Sequence, residues 1–227
     1  VYGFHGTSHK YVSEQAIAYL DKKDAKIISI HLGNGCSITA IKNGKSVDTS
    51  MGFGPLSGLV MGTRSGDIDP SVIFHLIEHS GYSLSQLSTL FNKQSGLLGL
   101  GGSSDMRDIR KLVSEGDEAA VLAVELYAYR IKKFIGAYAA ILNGIDAIIF
   151  TAGVGENDRD MRAAVCTELE YLGIELDTEQ NSNYSGGIKD ISEADSKVKV
   201  LVIPTNEEYE IAHQCFDLLA QQQFSAE

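Results

Sequence analysis

Three short apolar runs each end in a glycine-rich or polar turn, and this repeated junction restricts the fold more than any other feature. The run at 26–30 leads into "HLGNG", the run at 146–150 into "TAGVGEN", and the run at 198–203 into "PTNEE". Apolar runs of this length, bounded by turn residues, are typical of strands buried on both faces. Helical patterns lie between them, so the sequence predicts an α/β fold whose turns converge along one edge of a sheet.

The segments between these runs predict one hairpin and several helices. Asn43-Gly44 joins two β-like runs in "SITAIKNGKSVDTS", which is a strong hairpin signal. Helical patterns occur in "SHKYVSEQAIAYLDK", "SVIFHLIEHS", "SLSQLSTLFNKQ" and "DRDMRAAVCTELEYLG". The longest covers 117–143 and ends before Gly144. Its apolar face is wider than one domain needs, so we expect self-association, with burial inside the monomer as the alternative.

Composition limits the partners of the chain. The 227 residues are 44% hydrophobic and 22% charged, as in ordinary globular proteins, and the net charge is −11. Without a Lys/Arg-rich run, this charge argues against nucleic-acid binding, although a few local cations can still hold a small anion. Three widely separated cysteines without metal-site spacing favour a reduced, cytoplasmic setting. No apolar run in the sequence is long enough to span a membrane.

The glycines at the strand ends suit a phosphate-binding site. Glycine lets backbone N–H groups approach phosphate oxygens closely, and helix N-termini add a favourable dipole. Each turn alone is explained equally well by a need for positive φ, but three in one chain favour a nucleotide cradle. The sequence has neither a Walker A loop nor a GxGxxG fingerprint, so the cradle is of another kind.

Arg64 is the most distinctive candidate for anion recognition. It lies between Gly62 and Gly66 in "MGTRSGDIDP". A planar guanidinium in such a loop can pair with a carboxylate or phosphate through two parallel hydrogen bonds. The structural alternative is that Arg64 holds its own loop by pairing with Asp67 or Asp69.

The remaining polar candidates each have a structural alternative. His5 and His9 are four residues apart, but Gly6 to Ser8 between them argue against the helix that a shared metal would need. From the residues alone, a structural role is the simpler interpretation of each histidine, and a hydrogen bond to a transferring group is the functional alternative. Asp105 beside Arg107 fits ligand contact or a helix N-cap. Glu207 fits magnesium binding or the dipole of the helix that it begins.

Six ordered motifs together resemble the acetate kinase family: "YGFHGTSH", "HLGNG", "DTSMGFGPLSGLVMGTRSGDIDP", "SGLLGLGGSSDMRDI", "FTAGVGEN" and "IPTNEE". The resemblance implies the RNase H-like fold of the acetate and sugar kinases, heat-shock chaperones and actin. It also implies phosphoryl transfer between ATP and acetate, or between ADP and acetyl phosphate, with Mg²⁺ or Mn²⁺, by a cytoplasmic homodimer. Propionate kinase is the close alternative, and a sugar kinase or actin-like ATPase is a more distant one.

The resemblance also assigns roles to single residues. His5 and Arg64 match the pair that stabilises charge on the transferring phosphoryl group, and Glu207 matches a magnesium ligand. The nucleotide-binding positions form three sets: His31, Leu32, Gly33, Asn34 and Gly35 under the phosphates; Asp105, Met106 and Arg107 on the adenosine side; and Gly153, Val154, Gly155, Glu156 and Asn157 in a further loop.

The sequence departs from the family pattern in two ways, and we expect only the second to affect activity. Gly54 and Ser57 stand where Thr and Glu are more usual, which the loop can tolerate. The family's first strand and phosphate loop, with a catalytic Asp, an acyl-site Arg and a second metal ligand, have no counterpart here. We therefore expect 1–227 to be mostly the C-terminal nucleotide-binding and dimerisation domain, without the N-terminal domain and inactive alone. The alternative is a binding module without turnover.

Overall fold

A mixed β-sheet forms the centre of the molecule. The computed structural model describes residues 4–224, with side chains described up to 220. In this part of the chain the sheet has six strands, in the order β3-β2-β1-β4-β6-β5. The strands are β1 Lys26–Leu32, β2 Cys36–Lys42, β3 Lys45–Thr49, β4 Ala147–Thr151, β5 Lys189–Asp190 and β6 Lys199–Val202.

The strand directions bring the three predicted turns to one edge. β1 pairs with β4 in parallel, from Ile27 beside Ala147 to His31 beside Thr151. β4 pairs with β6 in parallel, whereas β1 and β2 form the antiparallel hairpin that turns at 33–35. The carboxyl ends of β1, β4 and β6 therefore lie side by side, as the sequence predicts.

Helices cover both faces of the sheet. They are α1 Gly6–Leu20, α2 Ser71–Ser80, α3 Leu84–Lys93, α4 Gly96–Gly101, α5 Met106–Ser114, α6 Glu118–Leu142, α7 Ala152–Asn157, α8 Arg159–Cys166, α9 Thr178–Ser182 and α10 Glu207–Phe224, with a 3-10 turn at Glu170–Leu172. None of the helices within 4–224 is long and apolar enough to cross a bilayer.

Two apolar clusters hold the layers together. On one face, α6 buries Tyr127, Ile131 and Ile135 against Ile30 and Phe150 of the sheet. Each fully buried side chain of this size contributes about 1.5–3 kcal/mol relative to exposure. On the other face, a smaller cluster joins α1 to the same strands through Val12, Ala16, Ile27, Ile149 and Leu201.

The last helix packs against the first. The ammonium of Lys10 in α1 pairs with the carboxylate of Glu210, which is almost fully buried in α10. The rings of Tyr11 and Tyr209 meet edge to face with centroids 6.0 Å apart. These contacts fix the start of α10, and therefore the "TNEE" turn, beside α1.

The predicted α/β class and the hairpin at Asn43-Gly44 are confirmed. The 117–143 helix is α6, with Asp117 capping its first turn. Residues 6–8 are helical, contrary to the prediction: α1 begins at Gly6, and its first turn is closed by the His9 amide, which donates to the His5 carbonyl. Ser8 remains helical because its hydroxyl bonds His31 instead of competing for the local backbone.

Two further boundaries differ from the prediction. "GVGEN" lies in a helix, α7, and is not only a turn; this helix begins at Ala152, whose φ of 66° lies in the left-handed region. The helix predicted over "DRDMRAAVCTELEYLG" stops at Cys166. There the chain takes positive φ at Glu168, and the next residue, Leu169, is buried in the larger apolar cluster.

Candidate active site

The turn after β1 allows two functional groups to approach the backbone. The Gly33 amide donates to the Gly35 carbonyl, which closes the turn before β2 begins. A Cβ at Gly35 would lie 3.1 Å from Nη2 of Arg64 and 3.4 Å from Nε2 of His5. Glycine at 35 therefore lets the guanidinium and the imidazole converge on one point, where any larger residue would displace them.

The loop that carries Arg64 rests directly on this turn. The Gly62 amide donates to the Asn34 carbonyl, and a Cβ at Gly62 would lie 2.7 Å from Oδ1 of Asn34. The Met61 amide donates to the carbonyl of Arg64, which closes the loop. The close fit at Gly62 explains a second glycine of the motif.

The guanidinium of Arg64 does not hold its loop through a carboxylate. Its Nη1 donates to the Pro55 carbonyl at 2.7 Å. Asp67 instead pairs with Arg130 at 3.0 Å, and Asp69 accepts hydrogen bonds from the amide and hydroxyl of Ser71. No carboxylate in the described part of the chain forms an ion pair with Arg64. The structural alternative raised from the sequence is therefore not what the structure shows.

A buried cluster of histidines and serines lies beside Arg64. The His5 ring stacks on the His31 ring with centroids 3.9 Å apart. His5 Nδ1 lies 2.8 Å from the Ser37 hydroxyl, which also lies 2.7 Å from His9 Nε2. His9 Nδ1 lies 2.8 Å from the Ser29 hydroxyl. The rings are therefore held at fixed positions by a chain of hydrogen bonds.

The histidines of this cluster are electrically neutral near pH 7. Burial lowers the pKa of His9 to about 3 and that of His31 to about 3, with neighbouring rings adding to the effect. The pKa of His5 is also lowered, first by burial and then by the positive charge of Arg64. Neutral imidazoles beside an arginine act as hydrogen-bond donors or acceptors without adding charge.

His5 also has an unusual backbone conformation. Its φ of 61° places it in the left-handed region, where non-glycine residues are uncommon. It is the residue immediately before α1, and its carbonyl accepts the hydrogen bond from the His9 amide. Strain of this kind is often found at functional positions. Here it turns the chain so that the ring lies over His31.

Hydrogen bonds tie the ends of the other two strands to the cluster. Ser8 lies 2.9 Å from His31 Nδ1 and accepts from the Thr205 hydroxyl at 2.8 Å. The Glu156 carboxylate accepts from the Ala152 amide at 2.9 Å and, more weakly, from the Thr205 amide at 3.4 Å. The turns after β1, β4 and β6 are thus joined into one unit, as the sequence predicts.

Next to the cluster lies a cleft of about 1050 Å³. Its walls are Gly33, Asn34, Ser104, Asp105, Met106, Arg107, Arg110, Val113, Ser114, Gly153, Val154, Asn157, Asp158, Arg159 and Asp160. Three separate segments therefore meet at one opening: the turn after β1, the start of α5, and the α7–α8 region. Arg110 and Asp158 connect two of them through a bidentate ion pair with N–O distances of 3.0 Å.

Eight of the thirteen predicted nucleotide-binding residues line this cleft, and five do not. The five are His31, Leu32, Gly35, Gly155 and Glu156. The Leu32 side chain lies in the larger apolar cluster, so only its backbone is available. Gly155 packs against Phe150, and Glu156 is occupied by backbone amides. His31 and Gly35 belong instead to the histidine cluster, which adjoins the cleft at Gly33 and Asn34.

Asp105 serves as a helix cap and also faces the cleft. Its carboxylate accepts from the Arg107 amide at 2.8 Å and pairs with the Arg107 guanidinium at 2.6 Å. These bonds to Arg107 lower the pKa of Asp105 to about 2. This geometry is compatible with both predictions for Asp105, ligand contact and helix capping, because the capping carboxylate lies at the rim of the cleft.

The residues suited to a metal are few. Glu207 begins α10, two residues after Thr205, and does not line the cleft. Within the described residues no group of three or more His, Cys, Asp or Glu side chains could hold a metal ion. The exposed carboxylate of Glu207 offers at most one side-chain ligand, which is compatible with Mg²⁺, since this ion commonly takes one or two carboxylates and fills its other positions with water and phosphate oxygens. A single carboxylate does not fit an all-protein metal cage.

Several residues of the site were missed from the sequence. Ser29 and Ser37 are fully buried in β1 and β2. A serine within an otherwise apolar strand is the one local sequence signal that could have identified them. Arg110 and Asp158 give no such signal, because each looks like an ordinary surface charge on a helix. Only the packing of α5 beside α8 brings the two together.

Comparison with known proteins identifies the family. A family model described as "Acetokinase family" matches residues 1–213. The chain belongs to the acetokinase family. An acetate kinase of Flavobacterium johnsoniae is 58% identical over 219 residues, covering 96% of this chain and 55% of the relative. An acetate kinase of Caldicellulosiruptor saccharolyticus is 55% identical over 222 residues, covering 96% of this chain and 56% of that protein.

Solved structures agree with this acetokinase assignment. The crystal structure of Porphyromonas gingivalis acetate kinase matches with a TM-score of 0.93 at 50% identity, over 96% of this chain and 55% of that chain. A propionate kinase of Francisella tularensis matches with a TM-score of 0.88 at 48% identity, over 93% and 54%. The family resemblance and the fold predicted with it are confirmed. This acetokinase-family chain spans about half the length of the curated relatives that it matches.

Proposed function

We propose that this chain carries the nucleotide-binding part of an enzyme that transfers a phosphoryl group reversibly between ATP and acetate. The observation that carries the proposal is the convergence of Arg64 and His5 over Gly35, at the border of the 1050 Å³ cleft. A cationic fork and an imidazole beside a nucleotide-sized cleft match what phosphoryl transfer requires, which is positioning and neutralisation of charge.

The cleft is proposed to hold ATP or ADP. Asn34 and Gly153 line the opening, and their backbone amides can contact phosphate oxygens, whereas the Gly33 amide is used by the Gly35 carbonyl within the turn. The start of α5, at Asp105 to Arg107, and Val113 offer polar and apolar contacts for the nucleoside. His31 and Gly35 act from the histidine cluster, and Leu32, Gly155 and Glu156 contribute through their backbone or by holding the loop.

Arg64 and His5 are proposed to stabilise the phosphoryl group in transfer. Charge on the equatorial oxygens of the transferring group is spread over three atoms, and a planar fork can pair with two of them. A neutral His5 can add a hydrogen bond without competing for the same charge. Removal of one such donor typically lowers turnover on the order of 100- to 1000-fold.

Glu207 is proposed as the magnesium ligand contributed by this chain. When bound, the ion supplies charge neutralisation at the donor phosphates. The role of Glu207 is to hold that ion through one carboxylate, at the start of a helix that the Lys10–Glu210 pair fixes against α1. Mn²⁺ has similar ligand preferences and is proposed as a substitute.

Acetate is proposed as the acceptor in preference to propionate. Both curated relatives described above are named acetate kinase, whereas one structural neighbour is a propionate kinase. The two substrates differ by one methylene, which a pocket distinguishes by only about 1–3 kcal/mol. The ratio of kcat/KM for the two acids therefore tests this choice.

The protein is proposed to act as a cytoplasmic homodimer. Val72 and Phe74 of α2 are 40% and 64% exposed, and α2 has no buried residue at all. On α6, Leu122 and Tyr129 are 57% and 58% exposed, which agrees with the wide apolar face seen in the sequence. The cysteines described, Cys36, Cys166 and Cys215, are free thiols, as a reducing compartment favours.

The present chain alone is proposed to bind nucleotide without turning it over, because it corresponds mostly to a C-terminal domain of the family. The test uses the purified chain and the whole protein with acetate, ATP, Mg²⁺ and hydroxylamine, which traps acetyl phosphate. We expect hydroxamate from the whole protein and none above background from the chain, although calorimetry should show that the chain binds ADP. Near-native turnover by the chain would refute this division of roles.

A further inference from the structure

We propose that Ser37 is a positioning residue that fixes the tautomer of His5, so that Nε2 carries the hydrogen and faces the reacting group. The proposal rests on the function proposed above in one respect only, namely that His5 acts on a phosphoryl group. The hydrogen-bond arrangement itself is a property of this chain and can be tested without any activity.

The Ser37 hydroxyl has two imidazole partners and only one hydrogen. It lies 2.8 Å from His5 Nδ1 and 2.7 Å from His9 Nε2. A hydroxyl can donate one hydrogen bond and must accept the other. The two rings therefore take opposite roles toward Ser37, and the tautomer of one determines that of the other.

The environment of Ser29 determines in which direction the hydrogen bonds between these serines and histidines are donated. The residue is fully buried, and His9 Nδ1 at 2.8 Å is the one hydrogen-bond partner of its hydroxyl among the described residues, backbone carbonyls included. If His9 donated to Ser29, the Ser29 hydrogen would be buried without an acceptor, which costs about 1–3 kcal/mol. Ser29 therefore donates to His9 Nδ1, so the hydrogen of the neutral His9 ring is on Nε2.

The donor and acceptor roles of His9 then determine those of Ser37 and His5. His9 Nε2 donates to the Ser37 oxygen, and the Ser37 hydrogen is donated to His5 Nδ1. A neutral His5 must then carry its own hydrogen on Nε2. That nitrogen lies 3.4 Å from the position of a Cβ on Gly35, a point that Arg64 Nη2 approaches to 3.1 Å. With this tautomer, two hydrogen-bond donors meet at one point: the neutral His5 Nε2–H and the charged guanidinium of Arg64.

The first test measures the tautomers directly in the 227-residue chain. Histidine labelled with ¹⁵N distinguishes the two forms by the nitrogen shifts and by the couplings to the ring carbon-bound hydrogens. At pH 7.5 we expect His5 to be predominantly the Nε2–H form, and His9 likewise. A predominantly Nδ1–H His5 in the wild-type chain would overturn the proposal at once.

Variants test whether Ser37 is the cause. In Ser37→Ala, His5 should become a mixture of both tautomers, and Ser37→Thr, which keeps the hydroxyl, should restore the Nε2–H form. Ser13→Ala is the matched control, because Ser13 is also buried but its hydroxyl, among the described residues, bonds only the Lys10 carbonyl. Its spectrum should match wild type. An unchanged His5 in Ser37→Ala would refute the role of Ser37.

A second variant covers the case in which Ser37→Ala does not fold. Ser29→Ala removes the donor that sets the direction, at a distance of two hydrogen bonds from His5. We expect His5 to lose its tautomer preference in this variant as well. A His5 that keeps the full Nε2–H form in Ser29→Ala would contradict the proposed chain of hydrogen bonds.

The whole protein supplies a functional readout. Ser37→Ala should lower kcat on the order of 10- to 100-fold, as loss of other groups that orient a functional histidine does, with little change in KM for ATP. Ser37→Thr should recover most of it. Equal losses in Ser37→Ala and Ser37→Thr would contradict the proposal. If the wild-type protein does not phosphorylate acetate, the proposed function fails, but the tautomer measurement still decides the role of Ser37.

Discussion

The imidazole rings of His5 and His31 lie stacked and nearly parallel, with an interplanar angle of 8° and centroids 3.9 Å apart. Such a contact is favourable between neutral rings and unfavourable between two imidazolium ions. Burial, which lowers the pKa of both rings, keeps them neutral at physiological pH. The stack therefore links the geometry of the site to the protonation state of its histidines.

The buried histidines should make the chain less stable in mild acid. The pKa values of His9 and His31 are about 3 in the folded protein, against an ordinary value near 6.5. Between these values the unfolded state binds more protons, so the free energy of unfolding falls as pH drops from about 6.5 toward 3. Each histidine contributes a slope of up to about 1.4 kcal/mol per pH unit.

Urea denaturation at pH 7.5 and pH 5 measures this loss. His31→Gln removes one titrating group and should show a smaller difference between the two pH values than wild type does. His79→Gln, at an exposed position on α2, is the control and should behave as wild type. If His31→Gln and wild type lose the same stability, the linkage through His31 is wrong.

Arg64→Ala in the whole protein should lower turnover on the order of 100- to 1000-fold, because it removes a donor used in the transition state. ATP binding should change little, since the cleft walls supply most of its contacts. Arg64→Lys should recover only a small part, because an ammonium cannot reproduce the planar fork. Steady-state kinetics beside a melting curve measures both effects.

Arg130→Ala is the matched control for Arg64. Arg130 pairs with Asp67 and donates to the Gly58 carbonyl, so it holds the same loop without facing the site. Its loss should cost stability of about 0–1 kcal/mol and leave kcat nearly unchanged. An Arg64→Ala variant that simply unfolds, or that keeps wild-type turnover, would remove Arg64 from the catalytic residues.

Gly35→Ala should impair catalysis without destroying the fold. The added methyl would lie 3.1 Å from Arg64 Nη2 and 3.4 Å from the His5 ring, so both side chains must move. Gly54→Ala is the control, because a Cβ there meets nothing within 4 Å. We expect kcat to fall in the first variant only. Equal kcat values in the two variants would mean that the close approach at Gly35 has no functional role.

Phe74→Glu should dissociate the proposed homodimer, because a carboxylate in an apolar interface lacks a partner. Sedimentation velocity at micromolar concentration should then show the 24.5 kDa species, whereas wild type sediments as a dimer. Tyr171→Glu is the control, since Tyr171 is 77% exposed on the 3-10 turn and belongs to neither α2 nor α6. A wild-type chain that sediments as a monomer would reject self-association.

The ends of three strands could be predicted from the sequence, but β5 and α7 could not. The apolar runs before His31, Thr151 and Pro204 predict β1, β4 and β6, because buried parallel strands consist of little else. The two residues of β5 are too few to leave a periodic pattern. The helix α7 was missed because it depends on a left-handed Ala152, a conformation that alanine rarely adopts.

The candidate site was predictable as a set of loops, but its internal geometry was not. Glycines identify the turn at 33–35, because backbone clearance requires them. The bonds of Ser37 to His5 and His9 join residues 32 and 28 positions apart, so they depend on α1 packing beside β2. The same holds for Arg110 and Asp158, whose pairing arises only when α5 meets α8.

Trapping of acyl phosphate measures the proposed phosphoryl transfer to acetate. The whole protein is incubated with ATP, Mg²⁺, acetate and hydroxylamine, and acetyl hydroxamate and ADP are measured together, with glucose in place of acetate as a second reaction. We expect one hydroxamate for each ADP formed, dependence on acetate and on the divalent cation, and no phosphorylation of glucose. ADP formation without hydroxamate, or phosphorylation of glucose, would contradict it.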